Sequence, residues 1–76
     1  MPKIFCVETG RGVKGSVFVC STPEGDIILR AIKEAPYKYS IFSEKPYGKY
    51  KTTMYASTRR ELRRRIEEWL EYQLTR

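Results

Sequence analysis

Five short runs rich in β-branched and aromatic residues occupy the first 55 positions of the chain. Such residues favour strands, and the runs are separated by turn signals: a glycine segment from Gly10 to Gly15, Thr22–Gly25, Pro36, and the proline- and glycine-containing stretch 44–49. Neighbouring runs joined by short turns are typical of antiparallel hairpins. The pattern therefore predicts a β-meander with strands at roughly 3–8, 16–21, 26–33, 37–43 and 50–55.

The last segment changes to a helical period. Thr58 and Glu61 have the spacing of a capping box, in which each side chain accepts a hydrogen bond from a free amide of the first turn. Apolar residues then recur every three or four positions, which predicts an amphipathic helix at roughly 59–74. The apolar stripe consists of Leu62, Ile66, Trp69, Leu70 and Leu74.

Together these elements predict one α+β domain over residues 1–76, a small antiparallel β-meander packed by a C-terminal amphipathic helix. One segment has a second interpretation. Asp26 could cap a short helix over residues 26–35, with Ile28, Ala31 and Ile32 on one face. A strand is favoured there because an Ile-Ile-Leu run directly after a tight turn suits an extended chain.

The chain's 76 residues leave room for one domain only. Its longest uncharged apolar run, Ile27–Leu29, is far shorter than the roughly 18 residues that cross a bilayer. The first 20 residues carry charges and lack the unbroken apolar centre of a signal peptide. We therefore expect a soluble, cytoplasmic protein that does not bind membranes.

Missing residue types exclude several kinds of chemistry. The chain has no His and no Asn, and Asp26 is its only Asp. Without His there is no Ser-His-Asp, Cys-His or zinc-His site, and we expect no catalytic residue, no metal and no cofactor. Few thermolabile amides combined with 32% charged residues is a pattern of heat-adapted proteins. It predicts a source in a hyperthermophilic archaeon or its virus.

The two cysteines, Cys6 and Cys20, lie equally far from Val13. A hairpin that folds about Val13 places them opposite each other, within reach of a disulfide. Disulfides inside cells are common only in hyperthermophiles. Two interpretations stay open: a cross-strand disulfide, or two buried thiols that act as small apolar residues.

Positive charge is concentrated in the second half of the chain. Between Lys38 and Arg65 there are nine basic residues against two acidic ones, and five of the nine are arginines in the first two helical turns. A helix N-terminus disfavours cations, so this arrangement suggests a bound polyanion. Tyrosines interleaved with lysines in the preceding hairpin are typical of base-stacking surfaces, with Tyr47 or Tyr50 as stacking residue. The candidate nucleic-acid-binding residues are Lys45, Tyr47, Lys49, Lys51, Arg59, Arg60, Arg63 and Arg64.

These features predict a small nucleic-acid-binding protein with little sequence specificity and a preference for DNA over RNA. The stretch Gly48–Thr58, with Arg59–Leu62 and the Trp69-Leu70 pair, resembles the strand-to-helix junction of the arm-type DNA-binding domains of tyrosine recombinases. Those domains read DNA with a three-stranded sheet backed by one helix. The resemblance implies a fold of the same kind.

The glycine segment matches G-x-G-x-x-G, but a strand follows it rather than the helix of a dinucleotide-binding fold. Gly10–Val17 with Ala31–Lys33 is similar to the glycine-rich loop and lysine strand of protein kinases. The kinase catalytic and metal motifs are absent, since they need His and further Asp residues. Two interpretations remain: a nucleotide-binding loop, or a hairpin loop whose Arg11 and Lys14 form a secondary anion-binding site.

The alternative function is a protein-interaction module, as a homodimer or a viral or host factor. Small domains often gain stability by oligomerising. Trp69 and Tyr72, in the acidic C-terminal half of the helix, would then contact the basic half of a partner helix.

Overall fold

A five-stranded antiparallel sheet followed by one helix forms the described part of the molecule, which confirms the α+β prediction. The computed structural model describes residues 4–12, 15–45 and 50–75, except for the side chain of Lys45. The strands are neighbours in chain order, as a meander requires. The elements are β1 (Phe5–Arg11), β2 (Gly15–Thr22), β3 (Gly25–Ala35), β4 (Lys38–Lys45), β5 (Lys51–Tyr55) and α1 (Arg59–Thr75).

The central hairpin shows why the chain adopts strands here. β2 and β3 pair without interruption from Thr22–Gly25 to Gly15–Ile32. Their turn is closed by the Thr22 hydroxyl, which donates to the Gly25 carbonyl and accepts from the Glu24 amide. Buried and half-exposed side chains alternate along β3, so residues 26–35 are strand and the helical alternative is wrong.

One face of the sheet packs against α1 and contains the core. The helix contributes Leu62, Ile66 and Leu70, all fully buried, as the apolar stripe predicts. They pack against alternate residues of the strands, because side chains two apart lie on the same face of a sheet. The largest buried strand side chains are Phe18, Leu29 and Ile41, with Ile27, Ala31, Cys6 and Cys20 around them.

The helix reaches both outer strands of the sheet. On one side the Glu67 carboxylate accepts a hydrogen bond of 2.8 Å from the Cys6 amide, an edge group that no further strand satisfies. On the other side Trp69 packs edge-on against Tyr50, with ring centroids 6.2 Å apart. These two contacts hold α1 across the sheet, and the opposite face of the sheet has no covering element among the described residues.

The start of α1 departs from an ideal capping box. The Thr58 hydroxyl accepts from the Glu61 amide at 3.0 Å, as predicted for the cap residue. The Glu61 carboxylate, however, accepts from the amide and hydroxyl of Ser57, at 2.6 and 2.9 Å, one residue before the predicted donor. The hydrogen bond from the Ser57 amide and then that from its hydroxyl lower the pKa of Glu61. The acidic residue therefore fixes the chain entering the helix.

The two cysteines form a disulfide. Cys6 and Cys20 are directly opposite in the β1–β2 ladder, with Cα atoms 4.0 Å apart, and both are fully buried. Of the two interpretations left open by the sequence, the structure has the cross-strand bond. The register that the spacing predicts is also confirmed, up to a bulge between Glu8 and Gly10.

Candidate anion-binding surface

Four arginines from the first two turns of α1 lie together on one side of the molecule. Arg59, Arg60 and Arg63 line a cavity of about 260 Å³ against β1, together with Val7 and Glu8. A second cavity, of about 420 Å³, has Arg60, Arg63 and Arg64 in its wall, with Ser57, Thr58, Glu61 and Glu67. Because Arg60 and Arg63 belong to both, the arginines form one continuous area, called the arginine surface below.

Arg59 has a structural partner. Its Nη1 donates to Glu8 Oε2 at 2.6 Å and to Ser16 Oγ at 2.7 Å, and the Ser16 hydroxyl donates to the same Glu8 carboxylate. Ser16 is buried on β2, and Glu8 is half-buried on β1. The predicted ligand residue Arg59 therefore joins the helix to the first hairpin, and its charge is largely neutralised.

Opposing effects act on the Glu8 carboxyl. Partial burial raises its pKa because it disfavours the charged form. The hydrogen bond from Ser16 and the neighbouring guanidiniums of Arg59 and Arg11 outweigh burial, so the pKa is lowered overall. Glu8 is thus held as an anion that accepts from two strands and the helix.

Arg11 lies beside this arrangement. Its Nη2 is 3.4 Å from Glu8 Oε1, so one carboxylate bridges Arg11 and Arg59. The residue proposed from sequence as part of a separate loop site therefore lies next to the arginine surface. Lys14, its predicted companion, is outside the described residues.

Of the four described residues in the glycine segment, three belong to strands. Gly10 and Arg11 belong to β1, which extends past its predicted end, and Gly15 opens β2. A Cβ atom on Gly15 would lie 2.1 Å from the Ala31 carbonyl oxygen, so glycine is required by the close approach of β2 and β3. This strand contact accounts for Gly15 without a nucleotide.

Helical spacing of four residues allows three ion pairs on α1, between Glu61 and Arg65, Arg63 and Glu67, and Arg64 and Glu68. The Glu61–Arg65 pair is present at 3.4 Å, but Arg63–Glu67 and Arg64–Glu68 are not among the ion pairs of the described residues. Glu67 instead accepts the edge amide of β1. Within residues 4–12, 15–44 and 50–75, no carboxylate oxygen lies within 4.0 Å of a guanidinium nitrogen of Arg60, Arg63 or Arg64.

Exposed apolar side chains of β1 lie beside the arginines of α1. The Arg63 guanidinium carbon is 5.9 Å from the centre of the Phe5 ring, within the range of a cation–π contact. Phe5 is 57% exposed and Val7 45%. Sequence reasoning missed both as site residues. The available signal was apolar residues on both faces of an edge strand, Phe5 and Val7 alternating with buried Cys6.

The hairpin half of the predicted surface does not join the arginines. Lys51 is exposed on β5, the outer strand farthest from β1, with its side chain on the face away from α1. Tyr50, suggested as a stacking residue, is only 8% exposed and packs against Trp69, so that role is wrong. Tyr47, Lys49 and the Lys45 side chain lie outside the described residues.

No family model matches the chain, and comparison with curated proteins and with solved structures gives no significant match. The resemblances to recombinase and kinase segments therefore gain no support from these comparisons. Across residues 4–12, 15–45 and 50–75, no group of three or more cysteine or carboxylate side chains is arranged to hold a metal ion. Helix α1 lacks the length and apolar character to cross a bilayer, and no other helix occurs in the described part of the chain.

Proposed function

We propose that this protein binds nucleic acid without catalysis, contacting the phosphate backbone through Arg60, Arg63 and Arg64. The observation that carries the proposal is that these three guanidiniums share one surface with no carboxylate partner among the described residues. Like charges three and four residues apart repel, and the positive end of the helix dipole adds to the cost. A bound polyanion would turn this repulsion into attraction.

The chemistry of the side chains fits phosphate. Guanidinium groups donate paired hydrogen bonds to phosphate oxygens, and several in one area match the repeated charges of a nucleic-acid strand. The exposed Phe5 ring beside Arg63 offers an apolar surface to a base or sugar. Arg59 and Arg11, both paired with Glu8, would support the surface rather than supply its main contacts.

Weak sequence preference follows from the charge order along α1. Its C-terminal half carries Glu67, Glu68 and Glu71, which would meet phosphate groups if the whole helix lay in a groove of DNA. Only the first two turns can approach the backbone closely. Backbone contacts position a protein but do not specify a sequence.

The proposal also includes the type of nucleic acid that is bound and the organism from which the protein comes. DNA is preferred over RNA as the ligand, and a hyperthermophilic archaeon or its virus as the source. The buried disulfide supports the second, because intracellular proteins of hyperthermophiles are rich in such bonds.

The test is the salt dependence of binding, followed by the fluorescence anisotropy of labelled duplex DNA, single-stranded DNA and duplex RNA. Three phosphate contacts give a slope of about −2.7 in log K against log salt, or an affinity loss of about 40-fold between 50 and 200 mM salt. The triple variant R60Q/R63Q/R64Q should remove most of this slope and weaken binding to every ligand about equally.

A matched control variant loses three positive charges from the sheet instead of from the helix. The triple variant R30Q/K33Q/K51Q also lowers net charge by three, from residues on β3 and β5 that do not line the arginine surface. It should bind nearly as well as the wild-type protein. Equal losses from both triple variants, or wild-type binding that salt does not change, would contradict the proposal.

A further inference from the structure

The face of the sheet opposite α1, called the open face below, carries apolar side chains around the Arg30–Glu44 ion pair. Strand alternation places on it Val17 and Val19 of β2, Ile28 and Ile32 of β3, and Phe42 of β4. All five are half-buried although no described element lies over them, because they shield one another. Val7 of β1 extends this area to the sheet edge. We propose that a second copy of this chain covers the open face and forms a symmetric dimer.

Cross-strand pairing brings the apolar side chains side by side, with Arg30 between Val17 and Phe42. Val7, Val19 and Ile28 are successive partners across β1, β2 and β3. In the next row, Val17, Arg30 and Phe42 are partners across β2, β3 and β4. Side chains that face each other across adjacent strands are close enough to touch. Two such faces can pack as in a β-sandwich, in which sheets lie about 10 Å apart.

The charge on the open face favours a second copy over nucleic acid. Arg30 and Glu44 pair there at 2.8 Å and neutralise each other near the centre. Asp26, Lys38 and Lys51 lie around the margin, which leaves a net charge of +1 from the five described residues, three basic and two acidic. The whole chain carries +6. A polyanion would gain little on this face, and two copies would repel only weakly.

The size of the open face fits a modest dimer. Five strands about 4.8 Å apart give a width of roughly 19 Å, and three alternate positions on a strand span about 14 Å, or about 20 Å with side chains. Each copy would thus cover roughly 400 Å² in projection, and accessible surface is larger than its projection. A dimer would bury on the order of 1,000 Å² in total, near the lower limit of specific interfaces. We expect dissociation in the micromolar range.

This dimer would keep nucleic-acid binding intact. The guanidinium groups of the arginine surface lie on the helix side of the sheet, so two copies joined through their open faces would carry them on opposite outer sides. Val7, at the sheet edge, borders both surfaces. The dimer differs from the helix-to-helix pairing suggested by Trp69 and Tyr72. It does not depend on the proposed nucleic-acid binding.

Sedimentation equilibrium of the disulfide-intact protein without nucleic acid, from about 1 µM to about 1 mM, tests the proposal. The wild-type mass should rise from the 9.0 kDa of one chain to twice that value. Val19→Lys places a positive charge in the centre of the open face and should weaken the dimer at least 100-fold. Gln73→Lys adds the same charge on α1 and should dimerise like the wild-type protein.

A second variant guards against misfolding of V19K. V19T/I28T keeps the branching at Cβ and replaces a methyl group of Val19 and the ethyl group of Ile28 by hydroxyls, so it should stay folded by circular dichroism while dimerising less. A wild-type protein that stays at one chain's mass up to about 1 mM would overturn the proposal and leave the face to another partner. Undiminished dimers of V19K or V19T/I28T would overturn it too, by placing the interface elsewhere. Anisotropy with labelled DNA reports nucleic-acid binding separately, so the two proposals can fail independently.

Discussion

Glu8 is the carboxylate on which the first hairpin and the helix converge, and Glu8→Gln tests that role with little change in shape. The wild-type side chain accepts from Ser16, from Arg59 at 2.6 Å and from Arg11 at 3.4 Å. Glutamine keeps one oxygen acceptor and loses the charge. The substitution therefore removes the charge-assisted part of three contacts and leaves packing nearly unchanged.

The expected loss of unfolding free energy follows from how deeply the Glu8 and Arg59 side chains are buried. A hydrogen bond to a charged group contributes about 1.5–3 kcal/mol when buried, whereas an exposed ion pair contributes less than about 1 kcal/mol. The Glu8 side chain is 16% exposed and that of Arg59 44%, which lies between these cases. We expect the free energy of unfolding to fall by about 1–2 kcal/mol. For a domain of this length that lowers Tm by roughly 5–15 °C.

The effect should depend on pH in one direction. The pKa of Glu8 is lower in the folded protein than the ordinary value of 4.5, so its contribution is fully present at pH values above 4.5. The contribution falls as the pH drops below 4.5 through the folded-state pKa, because the carboxylate is then protonated in both states. The wild-type protein should lose stability over that range, and E8Q should lose less.

Thermal unfolding followed by circular dichroism between pH 2 and pH 7 measures both effects. Glu44→Gln is the control, since it makes the same charge change in a 2.8 Å pair whose two side chains are 47% and 41% exposed. Its loss at pH 7 should stay below about 0.5 kcal/mol. The structural role of Glu8 is refuted if E8Q and E44Q lose the same unfolding free energy at pH 7. It is also refuted if E8Q loses as much stability in acid as the wild-type protein does.

Three further substitutions test the sheet and the helix start. The double variant C6A/C20A should lose about 3 kcal/mol of unfolding free energy, the value for a closed loop of about 15 residues. Reductant should lower the melting temperature of the wild-type protein and leave that of C6A/C20A unchanged. Gly15→Ala should lower the free energy of unfolding by about 1–3 kcal/mol because β2 and β3 must separate. Gly12→Ala, whose Cβ would meet nothing nearer than 3.8 Å, should cost less. Equal melting temperatures of the two variants would contradict the close approach of β2 and β3. Thr58→Ala should lose about 1 kcal/mol in urea unfolding and T58S much less, and similar losses would argue against the cap.

Strand order, the helix and the opposition of the two cysteines could all be predicted because each depends on local spacing. The strand runs are rich in β-branched and aromatic residues, and Leu62, Ile66 and Leu70 recur at the helical period, so the helix has one way to bury its apolar side. Turn residues joined neighbouring runs, and short connections leave few alternatives to a meander. The opposition of Cys6 and Cys20 followed from counting equally from the centre of one hairpin.

The candidate site could be predicted only in part, because its charged side chains form hydrogen bonds and ion pairs with residues far away in sequence. Helical spacing pairs Arg63 with Glu67, but Glu67 bonds instead to an amide 61 positions away. Arg59 likewise pairs with Glu8, at a separation of 51 residues. A local rule counts neighbours on one helix and contains no information on which strand edge lies beside them.

The amino-acid pattern was enough to locate the strands and the helix and to identify the apolar side of the helix. Tertiary structure alone decided which face of the sheet the helix covers, which arginines keep a carboxylate, and that Lys51 lies apart from them. The physical reason is that secondary structure depends on contacts between near neighbours. A surface depends on how the helix docks on the sheet, and this docking places residues from distant parts of the chain side by side.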